Sequence, residues 1–324
     1  MEDRFGRRIN YMRLSVTNRC NLRCRYCRRE LPEGPEKRAL KDEELLMIVR
    51  AAASCGIDSF KITGGEPLLR PGIAELTGQM KELPGVRSVT MTTNGVLLKG
   101  ALPELIKNGL DAVTVSLDSL NRETYRRITG EDRLSGVLGA LKEAAASSLK
   151  VKVNTVLQKG VNDTEWPELA ALAKEMPVDV RFIELMPIGC GRDFEGVDFI
   201  KLYSALKKSY PALSEDTESH GNGPAVYYKI PGFSGSVGFI SALSEKFCDS
   251  CNRLRLTSSG ALKPCLCYNT EVDLMPLFTE TDKEKLLSAL KDAIRKAALM
   301  KPEGHSFGVA TGAEERRSMA DIGG

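Results

Sequence analysis

From residue 11 to about residue 186 the chain repeats one pattern: a short apolar strand, a loop, then an amphipathic helix. Nothing else in the sequence limits the fold as much. Strands are expected at 12–17, 59–63, 88–93, 112–118, 150–155 and 180–185, each rich in Val, Ile, Thr or Leu and bounded by turn residues. Helical spacing of apolar residues fills the gaps at 42–54, 72–83, 102–108, 134–148 and 163–176. Such alternation gives a parallel sheet with right-handed crossovers. Six units leave an open doubly wound sheet or a partial barrel. The strand ends favour the barrel. Thr17, Thr63-Gly64-Gly65-Glu66, Thr92-Thr93-Asn94, Ser116 with Asp118, Asn154 and Glu184 all stand where a strand finishes. In parallel folds those ends carry the site. These residue types are also ordinary turn formers, which explains one such end better than six. The expected fold is therefore α/β, a partial (β/α)6 TIM-like barrel with a C-terminal extension packed on it.

The 324 residues exceed the ~250–300 at which one core stops growing, so one large domain with an attached extension, or two domains, is expected. A Gly-containing connector follows Met186, so 1–186 reads as the core and 187–324 as the extension. In the latter, helices are expected near 199–209 and 282–298, and short strands near 226–230 and 237–240. The 46 basic residues nearly balance the 43 acidic ones, which speaks against a nucleic-acid coat. No apolar run approaches the ~20 residues that span a bilayer, and the charged N-terminus lacks an apolar signal core. A cytoplasmic protein is expected, with no nucleic-acid or membrane partner.

Nine cysteines without a secretory signal argue against a disulfide framework. Six fall into two groups. Cys20, Cys24 and Cys27 form C-x3-C-x2-C directly after the first strand. Three thiolates on one loop can hold three corners of a 4Fe–4S cluster and leave one iron open. Zinc would want a fourth ligand, and neither of the two histidines is near. The second group is Cys248 and Cys251 with Cys265 thirteen residues on; Cys267 is a rival third ligand, and a four-thiolate zinc ribbon remains open.

The first triad, the aromatic Tyr26 inside it, and Thr63-Gly64-Gly65-Glu66-Pro67 at the next strand end together resemble the radical S-adenosylmethionine superfamily. Further motifs follow in order: Leu14-Ser-Val-Thr-Asn-Arg-Cys20, Thr92-Thr-Asn-Gly95, Ser116-Leu-Asp118, Arg181-Phe-Ile-Glu-Leu-Met186, Cys251-Asn-Arg-Leu-Arg255 and the final Gly323-Gly324. With these, nearly the whole chain resembles the GTP 3′,8-cyclase family of molybdenum cofactor biosynthesis.

The resemblance implies a partial (β/α)6 TIM-like barrel with a C-terminal extension closing the open side. It implies two 4Fe–4S clusters, one on Cys20, Cys24 and Cys27 and one on Cys248, Cys251 and Cys265, favouring Cys265 over Cys267. It implies contacts to S-adenosylmethionine from Tyr26, Gly65, Ser116 and Met186. Around GTP it implies Arg13, Lys61, Thr92, Lys152, Arg253, Leu254 and Arg255. Catalytic parts are implied for Arg253, Arg255, Gly323 and Gly324. The implied reaction makes a 5′-deoxyadenosyl radical, takes the 3′ hydrogen of GTP and closes C3′ onto C8. An outside electron donor (a reductase or a flavodoxin- or ferredoxin-like protein) and the next-step cyclic pyranopterin synthase are the implied partners, and a homodimer is left open. Lys61 departs from the Arg more usual there and loses the bidentate fork. The segment 28–38 is unusually basic.

The basic residues carry a reading of their own. Arg253 and Arg255, two apart on an expected strand, point to one face. A triphosphate needs several cations from different elements. Two rivals stay open: another radical enzyme with an auxiliary cluster, such as a peptide maturase, and a zinc-stabilised binding protein.

Overall fold

The computed structural model describes residues 1–28, 38–307 and 314–323. Gly324 and most of the basic segment after Cys27 lie outside the described residues.

The elements run β1 (Tyr11–Ser15), α1 (Asp42–Ser54), β2 (Ser59–Thr63), α2 (Ile73–Glu82), β3 (Ser88–Thr93), α3 (Leu98–Lys107), β4 (Ala112–Ser116), α4 (Arg122–Thr129), α5 (Leu134–Ala145), β5 (Lys150–Val156), α6 (Trp166–Glu175) and β6 (Val178–Ile183). The remainder comprises α7 (Phe199–Ser209), β7 (Ser214–Asp216), β8 (Val226–Lys229), β9 (Val237–Ile240), β10 (Arg253–Leu256), β11 (Ala261–Lys263), β12 (Val272–Asp273) and α8 (Lys283–Leu299).

All twelve strands form one sheet in the order β12-β11-β10-β1-β2-β3-β4-β5-β6-β9-β8-β7. The six expected strands are its parallel middle, and the sheet is not closed. The extension continues the sheet at both edges rather than only packing on it. β10 runs parallel to β1, pairing Arg255 with Arg13, and β9 runs parallel to β6. Antiparallel hairpins finish each side.

Strand side chains alternate between faces, and here the alternation sorts them by chemistry. Met12, Leu14, Phe60, Ile62, Val113, Val115, Val151, Val153, Val180 and Phe182 enter the apolar core. Their neighbours Arg13, Lys61, Thr114, Lys152, Asn154 and Arg181 face a cavity inside the barrel. The helices have ordinary local causes. Asp42, Glu43 and Glu44 load the first turn of α1, where the helix dipole favours them. Asn121, Asp198 and Asp282 cap α4, α7 and α8 with side-chain oxygens on early backbone N–H groups.

The C-terminal stretch is latched to β11. The buried Lys263 ammonium donates to Glu315 Oε2 at 2.6 Å, and Arg317 Nη2 grips the same oxygen at 2.7 Å. Burial alone would raise the Glu315 carboxyl, but Arg317 and Lys263 hold it at about 2. Its stabilising contribution is therefore full above its ordinary 4.5 and is lost as pH falls from there towards about 2. Glu315→Gln leaves the buried Lys263 without its closest carboxylate and should cost about 3 kcal/mol, read as a lower urea midpoint at neutral pH, with the gap from wild type closing as pH falls.

Candidate active site

A cavity of about 700 Å³ occupies the barrel interior. Its upper end lies at the carboxyl ends of the strands. After β1 the chain turns into the first cysteine loop, which β2's outgoing loop holds by backbone pairing: Gly65 N–H donates to Thr17 O at 2.8 Å and Glu66 N–H to Arg19 O at 2.7 Å. The approach is close enough to exclude side chains. A Cβ on Gly65 would stand 2.2 Å from Arg19 O, and one on Gly64 2.6 Å from Thr17 O. Glu66, fully buried, accepts from Thr93 Oγ1 and Asn94 N at 2.7 Å each and from Leu68 N at 3.0 Å, tying the loop to β3. Gly65→Ala should therefore push the cysteine loop out of position, costing about 1–3 kcal/mol. Iron retained by the first triad is the measurement, and a variant that loads iron like wild type contradicts this account.

Cys20, Cys24 and Cys27 all line the cavity. Burial raises all three thiols, Cys24 well above its usual range and Cys27 to about 12, and each also feels a neighbouring thiol or carboxylate. Such sulfurs become thiolates only with a cation among them, so the triad suits a metal cluster. The cosubstrate candidates stand around it. Tyr26, Gly65, Ser116 and Met186 share the cavity wall. The Tyr26 hydroxyl donates to Asp118 Oδ2 at 2.8 Å. Asp118 is pushed up to about 6 by burial, against bonds from the Val156 N–H and Tyr26.

Midway down, cations crowd together. Arg13, Lys61, Lys152, Arg181, Arg253 and Arg255 line the wall with Thr92. Lys61 is driven well below its usual range by burial and then by Arg181, Arg13 and Lys152; Arg255 is driven down by burial, Arg13 and Arg253. Among the described residues no carboxylate forms an ion pair with Lys61, Arg181, Arg253 or Arg255. Like charges gathered in a buried chamber cost stability, and an anionic ligand offsets that cost.

The lower end carries the second group. Cys248, Cys251 and Cys265 line the same cavity. Lys301 Nζ approaches Cys251 Sγ at 3.5 Å and also donates to Arg253 O and Pro264 O. Burial would raise Cys251, but Arg253 and Lys301 win and bring it down to about 6. Cys267 does not line the cavity. It is buried in a small apolar cluster with Ile188, Leu266, Phe307 and Ile322. Among the described residues no three Cys, His, Asp or Glu side chains converge as a site for one metal ion.

Two sequence candidates stand differently from the rest. Leu254 alternates with its arginine neighbours, so its side chain is fully buried in the core and lines no part of the cavity. Gly323 is not on the cavity wall either; its carbonyl accepts from Arg255 Nη1 at 3.1 Å, and it packs against Ser15 and Thr63. Arg181 and Lys301 also belong to the site, though the sequence motifs mark neither as a contact. Arg181 alternates with core Val180 and Phe182, a period-2 cue that was available. Lys301 follows α8 and had no such cue.

Among the described residues no helix is long and apolar enough to cross a membrane. Residues 14–173 match the family model for the Radical SAM superfamily, and residues 178–307 the one for Molybdenum Cofactor Synthesis C. The GTP 3′,8-cyclase of Clostridium perfringens (strain 13 / Type A) is 39% identical over 328 residues, covering 100% of both chains. That of Desulforamulus reducens is 41% identical over 333 residues, again covering 100% of both. That of Peptoclostridium acidaminophilum is 44% identical, covering 99% of this chain and 98% of its own. The crystal structure of Streptococcus suis SuiB bound to S-adenosylmethionine shares the fold, with a TM-score of 0.67 at 16% identity, covering 97% of this chain and 77% of that one. Family models that together span most of the chain, and full-length relatives near 40% identity, lead to one conclusion: the chain belongs to the radical SAM superfamily and, within it, to the GTP 3′,8-cyclase family.

Proposed function

We propose that this protein converts GTP to 3′,8-cyclo-7,8-dihydro-GTP, using S-adenosylmethionine as the radical source, early in molybdenum cofactor biosynthesis. One observation carries the reading: two thiol triads face a single cavity from its two ends, with six cations between them. Tyr11 is level with Arg253 in the sheet, and the first cysteine loop begins after Ser15. Four strand steps, roughly 13 Å, therefore separate the ends and leave room for a nucleotide between.

On this reading the core, 1–186, holds a 4Fe–4S cluster on Cys20, Cys24 and Cys27. The extension, 187–324, holds a second on Cys248, Cys251 and Cys265. When bound, the first cluster supplies the electron for reductive cleavage of S-adenosylmethionine, and the second an open iron for the guanine base. The chain's own work is placement and shielding. Tyr26, Gly65, Ser116 and Met186 orient the cosubstrate near the first triad. Arg13, Lys61, Lys152, Arg181, Arg253 and Arg255 take up the triphosphate charge, with Thr92 beside them. The reaction requires that the loaded cavity exclude water and that the ribose come within about 3–3.5 Å of the hydrogen acceptor. Gly323 accepts from Arg255 through its carbonyl, and the Gly323-Gly324 tail is assigned a catalytic part in the reaction. An external one-electron donor and the next enzyme, a cyclic pyranopterin synthase, are the partners this reaction requires.

The test is anaerobic incubation of iron-loaded protein with GTP, S-adenosylmethionine and a strong reductant. The expected result is 5′-deoxyadenosine together with the cyclised nucleotide. Cosubstrate cleavage with no GTP-derived product would sink the proposal.

A further inference from the structure

Beside the cation cluster, His220 sits between two carboxylates. Its Nδ1 is 2.8 Å from Asp179 Oδ2 and its Nε2 is 2.8 Å from Asp216 Oδ2. A carboxylate accepts, so whichever ring nitrogen carries hydrogen donates to the carboxylate it faces. Asp216 also accepts from Ser236 Oγ at 2.6 Å and faces Lys229 at 3.5 Å. The imidazole lies on the Tyr227 ring, with centroids 4.0 Å apart and planes at 19°.

Lys152 belongs to the same cluster. Its ammonium donates to the His220 carbonyl and to Tyr227 Oη, the latter at 3.2 Å. Its one ion-pair carboxylate among the described residues is Asp179, through the same Oδ2, at the longer distance of 3.7 Å. One carboxylate oxygen thus faces both the imidazole and the ammonium, and the imidazole is the closer.

We infer that His220 is a positioning residue: by occupying Asp179 it leaves the Lys152 ammonium available to an anionic substrate in the cavity. The inference rests on the reading that Lys152 meets the triphosphate. Without the imidazole, Asp179 would turn to Lys152, and a phosphate would then compete with a full carboxylate for that charge. The ring, its stacking partner and its main-chain carbonyl also fix the wall from Ser219 to Pro224, so position and charge are set by one side chain.

His220→Phe keeps the stacking and the main-chain carbonyl and loses both ring bonds. GTP binding to the anaerobically purified, iron-loaded protein should weaken roughly tenfold, the scale of one charge-assisted hydrogen bond, while S-adenosylmethionine binding holds. Asp179→Asn added to the same chain removes the competitor and should restore GTP affinity to within about threefold of wild type. Asp179→Asn alone should bind GTP as tightly as wild type or more so. Unchanged GTP affinity in His220→Phe, no recovery in the double variant, or weakened binding in Asp179→Asn alone would each overturn the inference. Should His220→Phe fail to fold, the Asp179→Asn result decides. Lys152→Met separates the two readings. If it binds GTP like wild type, the phosphate role of Lys152 fails and this inference with it; if it alone weakens binding, only the part assigned to His220 fails.

Discussion

Cys24→Ala should abolish 5′-deoxyadenosine formation, and with it all turnover of GTP. The thiol is half-buried on the cavity wall, near Cys20, Cys27 and Asp118. A methyl group there can ligate nothing, and two thiolates cannot replace three at a cluster whose fourth corner must stay free. The loss should therefore be complete to the detection limit. The fold should survive, because the loop's shape is set elsewhere: Cys27 N–H and Arg28 N–H both donate to the Cys24 carbonyl, and Arg23 and Arg25 N–H groups pair with the end of α4. Iron should fall to about four per chain, those of the second site. Persistent cosubstrate cleavage would refute the assignment of this triad.

The second large effect is expected from Arg253→Ala with Arg255→Ala. Each guanidinium can make a charge-assisted contact of about 1.5–3 kcal/mol with a phosphate oxygen. The pair should therefore weaken GTP binding roughly 10²–10⁴-fold. Cosubstrate binding should be unaffected, because the residues that bear on it stand at the other end of the cavity. Thermal stability should hold or rise. Arg255 is disfavoured by burial, by Arg13 and by Arg253, so removing two like charges relieves the chamber even though the bond to Gly323 O is lost. Unchanged GTP affinity, measured at equilibrium on iron-loaded protein, would show that the triphosphate lies elsewhere. A protein that loses affinity and stability together would point to a packing role for the two arginines.

Much of the scaffold was readable from periodicity. The strands at 59–63 and 88–93 and the helix at 42–54 have the expected bounds, because Gly, Pro and acidic residues punctuate them. Helix α3 starts four residues before the expected 102, at Leu98; Gly100 in its first turn and Pro103 in its second disguise the start. Helix α4 was not expected. It is largely polar, with only Tyr125 and Ile128 as buried apolar anchors, and its order comes from the Asn121 cap and a left-handed Gly130 at its end. Strands β7, β11 and β12 have two or three residues each, too short for alternation to register. In the site, the two cysteine groups and the arginine pair were legible because their spacing is local. That Cys265 faces the cavity while Cys267 is buried among apolar side chains depends on tertiary packing. So does the meeting of Lys152, Asp179 and His220, which come from three separate stretches of chain.

The pairing of β10 with β1 has a consequence for biogenesis. Strand β1 finds its outer neighbour only after some 240 further residues have been made, since Tyr11 pairs with Arg253. Until then that flank of the nascent sheet has unpaired backbone groups, a template for wrong partners. Contacts so distant along the chain also fold slowly. The early cysteine loop thus emerges long before the compartment that will shelter it, and metal loading timed after release, or under chaperone cover, is the order of events this topology favours.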